Sequence, residues 1–291
     1  MKLAVASGKG GTGKTLTATN LAVTLQLLGE QPVTYADCDV EAPNGHLFLP
    51  PGHVEETTVH TTVPQIDEAR CDGCGECAKI CAYGAIVVLR GKVKTFPELC
   101  NACGGCSLVC PRRAITEVPR GVGVVKTGNA GGINTIAGLL DIGEARAIPV
   151  IKAVKRNIDL FDFTVLDAPP GTSCPVIETI RGVDYLLLVA EPTPFGFNDL
   201  ELAVELAREM RLPFGVVLNR DGIGDSAVER FCEREGIEIT ARIPDDRAIA
   251  EVYSRGGLIV EEFARYRDLF TDLAHLSIAR AEEAHMAGGA A

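Results

Sequence analysis

Eight of the eleven cysteines fall into two short runs with identical spacing. The runs are Cys71-x₂-Cys74-x₂-Cys77-x₃-Cys81 and Cys100-x₂-Cys103-x₂-Cys106-x₃-Cys110. Thiolates at such short intervals bind metal ions or metal clusters, and in a reducing compartment this is commoner than structural disulfide formation. The segment that contains both runs is therefore a candidate for metal or redox chemistry.

The spacing resembles that of bacterial ferredoxins with two [4Fe–4S] clusters. In that pattern three thiolates of one run hold a cluster and the fourth comes from the other run. The resulting ligand sets are Cys71, Cys74, Cys77 and Cys110 for cluster one, and Cys100, Cys103, Cys106 and Cys81 for cluster two. Gly75 and Gly104 allow close approach of the backbone to sulfide. Zinc is the alternative metal, but a four-ligand zinc site does not explain three cysteines plus a fourth in each run. Ala82 stands where the second run has Pro111, which removes no ligand.

A second group of residues could bind phosphate. Residues 8–15 follow an apolar strand and open a helix, which is the context that a phosphate-binding loop requires. Glycines let backbone N–H groups point at phosphate oxygens, and the positive end of the helix dipole adds to the attraction. Lys14 is expected to reach the β- and γ-phosphates of ATP, and the Thr15 hydroxyl to coordinate Mg²⁺. The expected nucleotide-binding residues of the loop are Gly8, Lys9, Gly10, Gly11, Thr12, Gly13, Lys14 and Thr15.

The loop carries two lysines, Lys9 and Lys14, where a simple phosphate-binding loop needs one. This KGGTGKT pattern resembles the deviant Walker A family, which includes MinD-type and ParA-type ATPases, Mrp-type cluster carriers and the nitrogenase iron protein. The resemblance implies that Lys9 reaches across a nucleotide-sandwich dimer to the phosphates of the partner subunit. It also implies that Lys9, Lys14 and Asp39 are the catalytic residues of a slow ATPase that a partner regulates.

Two carboxylates follow apolar strands, as the switch regions of this family do. Asp39 lies in the segment 37–44, where the family's switch I holds water or the metal shell. Asp167 begins the segment 167–171, where Walker B and switch II lie, and a carboxylate there can hold a Mg²⁺-bound water. Either aspartate alone could equally be a helix cap or a turn residue. Together with the loop, they predict a Mg²⁺ site formed by Thr15, Asp39 and Asp167.

The nucleotide base has its own candidate residues. Asn219 follows the apolar run Phe214–Leu218, where the family uses an asparagine to read adenine. The segment 243–246 resembles the second base-side loop of the family, through Pro244 and Asp246. An asparagine after a strand is also an ordinary turn residue, so the adenine role is implied by the resemblance alone.

Three cysteines lie outside the two runs. Cys38 and Cys232 are expected to be small buried apolar residues. Cys174 follows switch II, where the nitrogenase iron protein has one of its two bridging-cluster cysteines, and is thus a candidate metal ligand at a dimer interface. The segment Gly131–Leu140 lacks the second cysteine of such a site. A buried thiol at the start of a helix near Pro175 is the alternative.

Short apolar runs alternate with helical patterns along most of the chain, which indicates repeated βαβ units. We predict an α/β protein: a mostly parallel P-loop NTPase sheet with helices on both faces, plus a small inserted α+β domain like a bacterial ferredoxin. Buried parallel strands are expected at Leu3–Ala6, Val33–Ala36, Val122–Lys126, Phe163–Leu166, Tyr185–Ala190 and Phe214–Leu218. Helices are expected at Leu16–Leu28, Ile148–Asn157, Asp199–Met210, Ser226–Glu235 and Glu262–His285.

The cysteine-rich stretch interrupts this alternation and is an internal repeat. Cys71 corresponds to Cys100 and Gly75 to Gly104, at a constant offset of 29 positions (100 − 71). We therefore predict an ATPase domain in two parts, residues 1–60 and 120–291, with the ferredoxin-like domain inserted at residues 61–119. The strands before and after the insert are expected to belong to one sheet.

Charge and composition narrow the range of partners. The chain has 28 basic and 39 acidic residues, a net charge of −11, which disfavours nucleic acid and anionic membranes. No run reaches the roughly 18 apolar residues that a membrane helix needs. With no targeting signal visible, we expect a cytoplasmic protein. Its expected partners are a second copy or a paralogous chain in a dimer, and a redox or cluster-accepting protein.

Two functions fit these candidate sites. In the first, nucleotide-driven rearrangement of a dimer gates electron transfer through two [4Fe–4S] clusters. In the second, the protein is an ATP-dependent scaffold or carrier of iron–sulfur or other metal clusters. Cluster retention distinguishes the two functions, because a redox ATPase keeps its clusters through turnover, whereas a carrier transfers a cluster to an acceptor protein. A spatial organiser like MinD is disfavoured by the cysteines and by the lack of a basic membrane helix.

Overall fold

The structure is a computed structural model that describes residues 1–29, 31–159 and 162–288. Within these ranges the strands are β1 (Lys2–Ala6), β2 (Val33–Asp37), β3 (Val54–Ile66), β4 (Ile86–Leu89), β5 (Lys92–Thr95), β6 (Ile115–Ala130), β7 (Ile133–Leu140), β8 (Phe163–Asp167), β9 (Tyr185–Ala190), β10 (Phe214–Asp221) and β11 (Ile239–Pro244). The helices are α1 (Lys14–Leu28), α2 (Glu76–Ile80), α3 (Gly105–Val109), α4 (Ile148–Arg156), α5 (Cys174–Ile180), α6 (Pro194–Glu209), α7 (Ala227–Glu235), α8 (Arg247–Ser254), α9 (Ile259–Glu262) and α10 (Ala264–Gly288). None of these helices is long and apolar enough to cross a lipid bilayer.

Nine strands form one sheet in the order β11-β10-β9-β1-β8-β2-β7-β6-β3. Every neighbouring pair from β11 to β7 is parallel, which confirms the predicted mostly parallel sheet. Because the carboxyl ends of parallel strands meet at one edge, the loops that follow β1, β2 and β8 lie side by side. That edge is where the phosphate loop, Asp39 and Asp167 were predicted to meet.

Successive residues of β1 pack on opposite faces of the sheet. Leu3 and Val5 belong to a buried core that includes residues of α1 and α10. Ala4 and Ala6 belong to a second core, which includes residues of α4, α5 and α6. Burial on both faces explains why the strand is an unbroken apolar run rather than an alternating one. The C-terminal helix α10 packs on the body, since Phe270 and Leu273 are fully buried.

The prediction of a parallel strand at Val122–Lys126 was wrong. This segment lies in β6, which runs antiparallel to both of its neighbours, β3 and β7. Gly131 and Gly132 connect β6 to β7 in a two-residue turn, and both have positive φ angles, of 59° and 94°. Two left-handed residues give the tight turn that joins antiparallel strands, so β7 folds straight back along β6.

The cysteine-rich stretch lies at the end of a long two-stranded ribbon. β3 and β6 pair from Val54–Gly128 to Ile66–Ile115, so the predicted limits at residues 61 and 119 fall inside paired strands. Beyond the ribbon, the chain forms α2, the β4–β5 hairpin and α3 before it returns. Both strands of the ribbon belong to the nine-stranded sheet, as expected for the strands before and after the cysteine-rich stretch, while the division into domains stays a prediction.

Candidate functional site

Close packing and backbone conformation shape the loop after β1. Gly11 and Gly13 have φ angles of 83° and 96°, in the left-handed region that favours glycine. A Cβ atom on Gly13 would collide with the side-chain amide of Asn219, and one on Gly8 would collide with the backbone of Asp199. The loop is therefore closely packed between β10 and α6, with no room for a side chain at Gly8 or Gly13.

Asn219 holds this loop directly. Its buried side chain donates a hydrogen bond from Nδ2 to the carbonyl oxygen of Thr12, at 2.7 Å. Asn219 lies inside β10, because the strand continues to Asp221 rather than ending at Leu218. The adenine-reading role of Asn219 stays a prediction, and the contact that the structure gives its amide nitrogen is structural support of the loop.

A cavity of about 340 Å³ opens over the loop at the carboxyl edge of the sheet. The predicted nucleotide and Mg²⁺ residues in its wall are Gly10, Gly11, Gly13, Lys14, Thr15, Asp39, Asn219, Pro244 and Asp246. Gly8, Lys9, Thr12 and Asp167 are not among its wall residues. The cavity thus brings together residues from four separate segments of the sequence, as a nucleotide site requires.

Some wall residues were not predicted. Tyr253 of α8 lines the cavity, and its ring packs on Phe48 with 4.6 Å between centroids. Asn44 also lines it and accepts a hydrogen bond from the Thr15 hydroxyl at 3.0 Å. No motif marks Tyr253, whereas Asn44 lies in the switch I segment that the sequence had singled out. Asp246 has structural partners too, because it caps α8 and accepts a hydrogen bond from Tyr266.

Asp37 is a buried carboxylate that sequence reasoning missed. It ends β2, pairs in register with Asp167 of β8, and is only 1% exposed. Its oxygens accept hydrogen bonds from the backbone N–H groups of Asp39, Asn44 and Gly45, at 3.1, 3.0 and 2.9 Å. Burial, and after it the charge of Asp167, raises the pKa of Asp37. These hydrogen bonds hold the segment 37–44 over the end of β2, while Asp39 lies in the wall of the cavity.

The predicted Mg²⁺ ligands fit a divalent cation. Asp167 accepts a hydrogen bond from the Tyr35 hydroxyl at 2.9 Å, but its Oδ1 atom is buried and has no hydrogen-bond partner within the described residues. A buried carboxylate oxygen without a partner is unfavourable, and a metal-bound water would satisfy it. Burial raises the pKa of Asp167 to about 6. Thr15 and Asp39 supply a hydroxyl and a carboxylate in the wall of the cavity, which Asp167 itself does not line.

Lys14 is the cation at the centre of these groups. It is 7% exposed, and burial lowers its pKa while the charges of Asp167, Asp39 and Asp37 oppose that shift. A buried ammonium group among buried carboxylates is suited to a ligand with several negative charges. The phosphate groups of a nucleotide are such a ligand.

Replacing Gly13 with alanine should destabilise the protein by about 1–3 kcal/mol, the range for a strained backbone position, and should weaken ATP binding. The new methyl group would push the Asn219 amide away from Thr12 and reshape the loop. Calorimetric titration with Mg-ATP measures the affinity. Gly29→Ala is the matched control, because Gly29 also has a positive φ, of 71°, but has open space around it. Equal losses of affinity in both variants would contradict the role of the Asn219 contact.

The cysteine module repeats its backbone geometry as well as its sequence. Gly75 and Gly104 precede α2 and α3 in the left-handed conformation, with φ angles of 84° and 70°. Positive φ recurs at Gly73 and Ala102, and again at Gly84 and Arg113, at the same offset of 29 positions (102 − 73 and 113 − 84). Each helix ends one residue before the fourth cysteine of its run, which is its C-cap. The two halves are therefore structural copies of one unit.

The four residues predicted for cluster one line a single small cavity. Cys71, Cys74, Cys77 and Cys110 form its wall together with Ile66, Ile115 and neighbouring residues. The backbone N–H of Ala114 donates to Cys110 Sγ at 3.3 Å, and that of Ala102 donates to Cys100 Sγ at 3.4 Å. Amide donors aimed at sulfur and four cysteines in the wall of one cavity are features that an iron–sulfur cluster would use.

No group of three or more His, Cys, Asp or Glu side chains within the described ranges is gathered closely enough to hold a metal ion. The ligand sets of both clusters therefore stay predictions. For cluster two, Cys100 and Cys103 lie near enough to Cys106 to influence its pKa, which burial raises.

A buried ion cluster connects the cysteine module to the body that contains the nine-stranded sheet. Glu144, in the loop between β7 and α4, has a side chain that is 2% exposed. It accepts hydrogen bonds from Arg146 Nε at 2.7 Å and from Arg120 Nη1 at 2.5 Å. Arg146 also donates through Nη1 to the carbonyl oxygen of Cys100. Glu144 thus fixes the arginine that touches the backbone of a predicted cluster-two ligand.

Glu144→Gln should lower the free energy of unfolding at pH 7 by about 1.5–3 kcal/mol, the range for hydrogen bonds to a charged group. Hydrogen bonds from Arg146, and from Arg120, lower the pKa of Glu144 to about 2. A depressed pKa stabilises the fold above the unfolded-state pKa of about 4.3 and loses that contribution as the pH falls towards 2. The difference in stability between the wild-type and variant proteins should therefore shrink as the pH falls below about 4.3 and vanish near pH 2. Denaturant unfolding at pH 7 and at pH 3 measures this.

The control for this prediction is Glu251→Gln, which breaks the exposed pair between Arg247 and Glu251. Such exposed pairs contribute about 0–1 kcal/mol. A loss for Glu144→Gln no larger than that of the control would show that the buried pair contributes little.

The three remaining cysteines divide into two kinds. Cys38 and Cys232 are buried, at 0% and 1% exposure, as predicted. Cys174 is exposed and is the first residue of α5, so the alternative of a buried thiol there was wrong. The role of Cys174 as an interface metal ligand stays a prediction.

The fold and the cavity define a nucleotide-binding P-loop protein, and comparisons with known proteins agree. The family described as "CobQ/CobB/MinD/ParA nucleotide binding domain" matches residues 3–259. An uncharacterized protein of Methanocaldococcus jannaschii is 32% identical over 77% of this chain and 80% of its own length. The iron-sulfur cluster carrier protein of Pyrococcus abyssi is 23% identical over 89% of this chain and 79% of its own.

Among solved structures, the septum site-determining protein MinD of Pyrococcus horikoshii, complexed with Mg-ADP, has a TM-score of 0.58 at 20% identity. The likeness covers 94% of this chain and 93% of that one, and it concerns the fold. This chain belongs to the CobQ/CobB/MinD/ParA nucleotide-binding family. The predicted resemblance to deviant Walker A proteins is confirmed.

Proposed function

We propose that this protein is a Mg²⁺-dependent ATPase whose nucleotide state controls electron transfer through two [4Fe–4S] clusters. The observation that carries the proposal is the contact between Arg146 and Cys100. It joins the ATPase body to the repeated cysteine module within one chain. A nucleotide-driven conformational change near α4 would therefore be transmitted to the cysteine module by the hydrogen bond between Arg146 and Cys100, rather than by a flexible linker.

On the nucleotide side, the predicted phosphate and Mg²⁺ residues would divide the work. The N–H groups of the loop and the ammonium group of Lys14 would bind the phosphates, while Thr15, Asp39 and Asp167 would hold Mg²⁺ and its water. Lys9 would complete the site of a second subunit, either another copy or a paralogous chain. The free oxygen of Asp167 supports this assignment, because it needs a partner that the described residues do not provide.

On the redox side, the eight cysteines would hold the clusters in the two sets given above. When bound, the clusters would supply one-electron transfer. The chain itself would tune them, since the N–H groups of Ala102 and Ala114 donate to thiolate sulfurs and so favour the reduced state. A coupling of about 1–3 kcal/mol between nucleotide and cluster sites would move a one-electron potential by roughly 45–130 mV.

A second candidate function is an ATP-dependent scaffold or carrier of iron–sulfur clusters. It is favoured by relatives such as the Pyrococcus abyssi protein, whose name describes an iron-sulfur cluster carrier. Either function suits a cytoplasmic protein that works with a redox or cluster-accepting partner. The two differ in whether the clusters leave the protein.

Anaerobic purification followed by iron analysis and EPR tests both functions. We expect about eight irons in two low-potential [4Fe–4S] clusters, and a change in the EPR signal or potential when Mg-ATP is added. Iron is counted again after ATP turnover with an apo-protein acceptor present. Eight irons retained support the redox ATPase, iron moved to the acceptor supports the carrier, and zinc in place of iron contradicts both.

A further inference from the structure

A second groove lies where the cysteine module meets the ATPase body, with a volume of about 560 Å³. One wall is formed by Asn101 and Ala102, which lie between Cys100 and Cys103 of the second cysteine run. Another is formed by Cys174 and Pro175 at the start of α5. The start of α4 and the loop before it complete the groove, which we call the cationic groove.

The name follows from its charged residues. The cations in its wall are Lys152, Arg156 and Arg146, of which Arg146 is paired with Glu144, and no aspartate or glutamate is in the wall. Lys152 and Arg156 are exposed, lie one turn apart on α4, and have no ion-pair partner in the part of the chain that the structure describes. Since the whole chain carries a net charge of −11, a cationic concavity here runs against its overall charge.

We propose that the cationic groove is the docking site for an acidic protein that exchanges electrons with cluster two. This inference rests on the proposed function, because it requires a cluster in the second ligand set. A protein seated in the groove would contact Asn101 and Ala102, and therefore the loop that would enclose cluster two. The same protein would touch the start of α5, which follows the switch II segment 167–171, so nucleotide state could alter how well it docks.

Because Lys152 and Arg156 are exposed, a protein is favoured over a small anion as the ligand of the cationic groove. A single phosphate or carboxylate gains little from cations that water surrounds. An acidic surface with several charges is instead attracted over a distance, and such steering raises association rates by roughly 10- to 1,000-fold at low salt. Electron-transfer complexes are short-lived and small in area, which suits steering by charge.

The test is stopped-flow reduction of the oxidised full-length protein by a small, acidic, pre-reduced ferredoxin. The groove variant is Lys152→Glu with Arg156→Glu. The control is Lys92→Glu with Lys94→Glu, which makes the same change in net charge on the exposed side of β5, beside the cluster-one cavity that Val93 lines. We expect the groove variant to be reduced about tenfold or more slowly than wild type at low ionic strength. The control should stay near the wild-type rate, and the difference should fade in high salt.

Three results would overturn the inference: equal slowing in both variants, slowing in the control alone, or wild-type rates that do not depend on salt. Iron analysis, EPR and reduction by dithionite are measured first on all three proteins. If the wild type lacks clusters, the proposed function fails before docking is tested. If all three proteins carry clusters that dithionite reduces equally, a normal rate in the groove variant removes the docking site alone.

Discussion

Lys14→Ala should abolish tight binding of ATP. Lys14 is the buried cation of the nucleotide cavity, and Asp167, Asp39 and Asp37 all interact with its charge. Without it, the phosphates would approach these three carboxylates with no lysine ammonium group to offset the repulsion. Removing one partner of a buried charge pair costs about 2–5 kcal/mol, which corresponds to a roughly 30- to 5,000-fold loss of affinity.

Titration calorimetry with Mg-ATP measures this loss, and circular dichroism checks that the variant is folded. The check matters because the buried carboxylates also lose their counter-ion in the free protein. Unchanged affinity in a folded Lys14→Ala protein would contradict the assignment of this cavity to nucleotide phosphates.

Lys9→Ala is the comparison within the same loop. Lys9 lies outside the cavity wall, so one subunit should bind ATP without it. If Lys9 acts across a dimer, the variant should keep its affinity but lose ATP-dependent dimerisation and hydrolysis. Light scattering with and without Mg-ATP measures the association. Normal dimerisation of the Lys9 variant would remove the argument for a nucleotide-sandwich dimer.

The parts of this site that follow from local chemistry were predictable from the sequence. A phosphate loop needs glycine at fixed positions, and the structure has Gly13 at a φ of 96° with no room for a side chain. The two cysteine runs repeat in sequence because they repeat in backbone conformation, down to the left-handed residues. In both places short-range geometry restricts the residue types strongly.

The features of the site that could not be predicted depend on contacts between residues far apart in the sequence. Asp37 ends β2 and Asp39 follows it, and only the pairing of β2 with β8 makes Asp37 the buried one. The contact between Arg146 and Cys100 joins residues 46 positions apart and has no sequence signature. The antiparallel direction of β6, by contrast, could have been predicted from the sequence. Two consecutive glycines between apolar runs, here Gly131 and Gly132, are typical of a hairpin turn.

Cys77→Ser should remove cluster one and leave ATP binding largely intact. Cys77 is 7% exposed and packs with Ile86 and Ile115 in the small core of the cysteine module. Its thiol lies in the wall of the cavity predicted to hold cluster one, and a serine hydroxyl is a poorer ligand for iron than a thiolate. The nucleotide cavity is built from other segments, at the carboxyl edge of the parallel strands.

We therefore expect about four of eight irons to be lost, with the EPR signal of one cluster, while calorimetry gives a near wild-type affinity for Mg-ATP. Cys232→Ser is the matched control, because Cys232 is also buried, at 1% exposure, but lies in α7, outside both runs. It should keep all its iron. If the Cys77 variant keeps its iron, Cys77 is not a ligand. If it loses ATP binding together with the cluster, the two sites do not fold as separate modules. The contact between Arg146 and Cys100 would then be part of a structural dependence of the nucleotide site on the cysteine module.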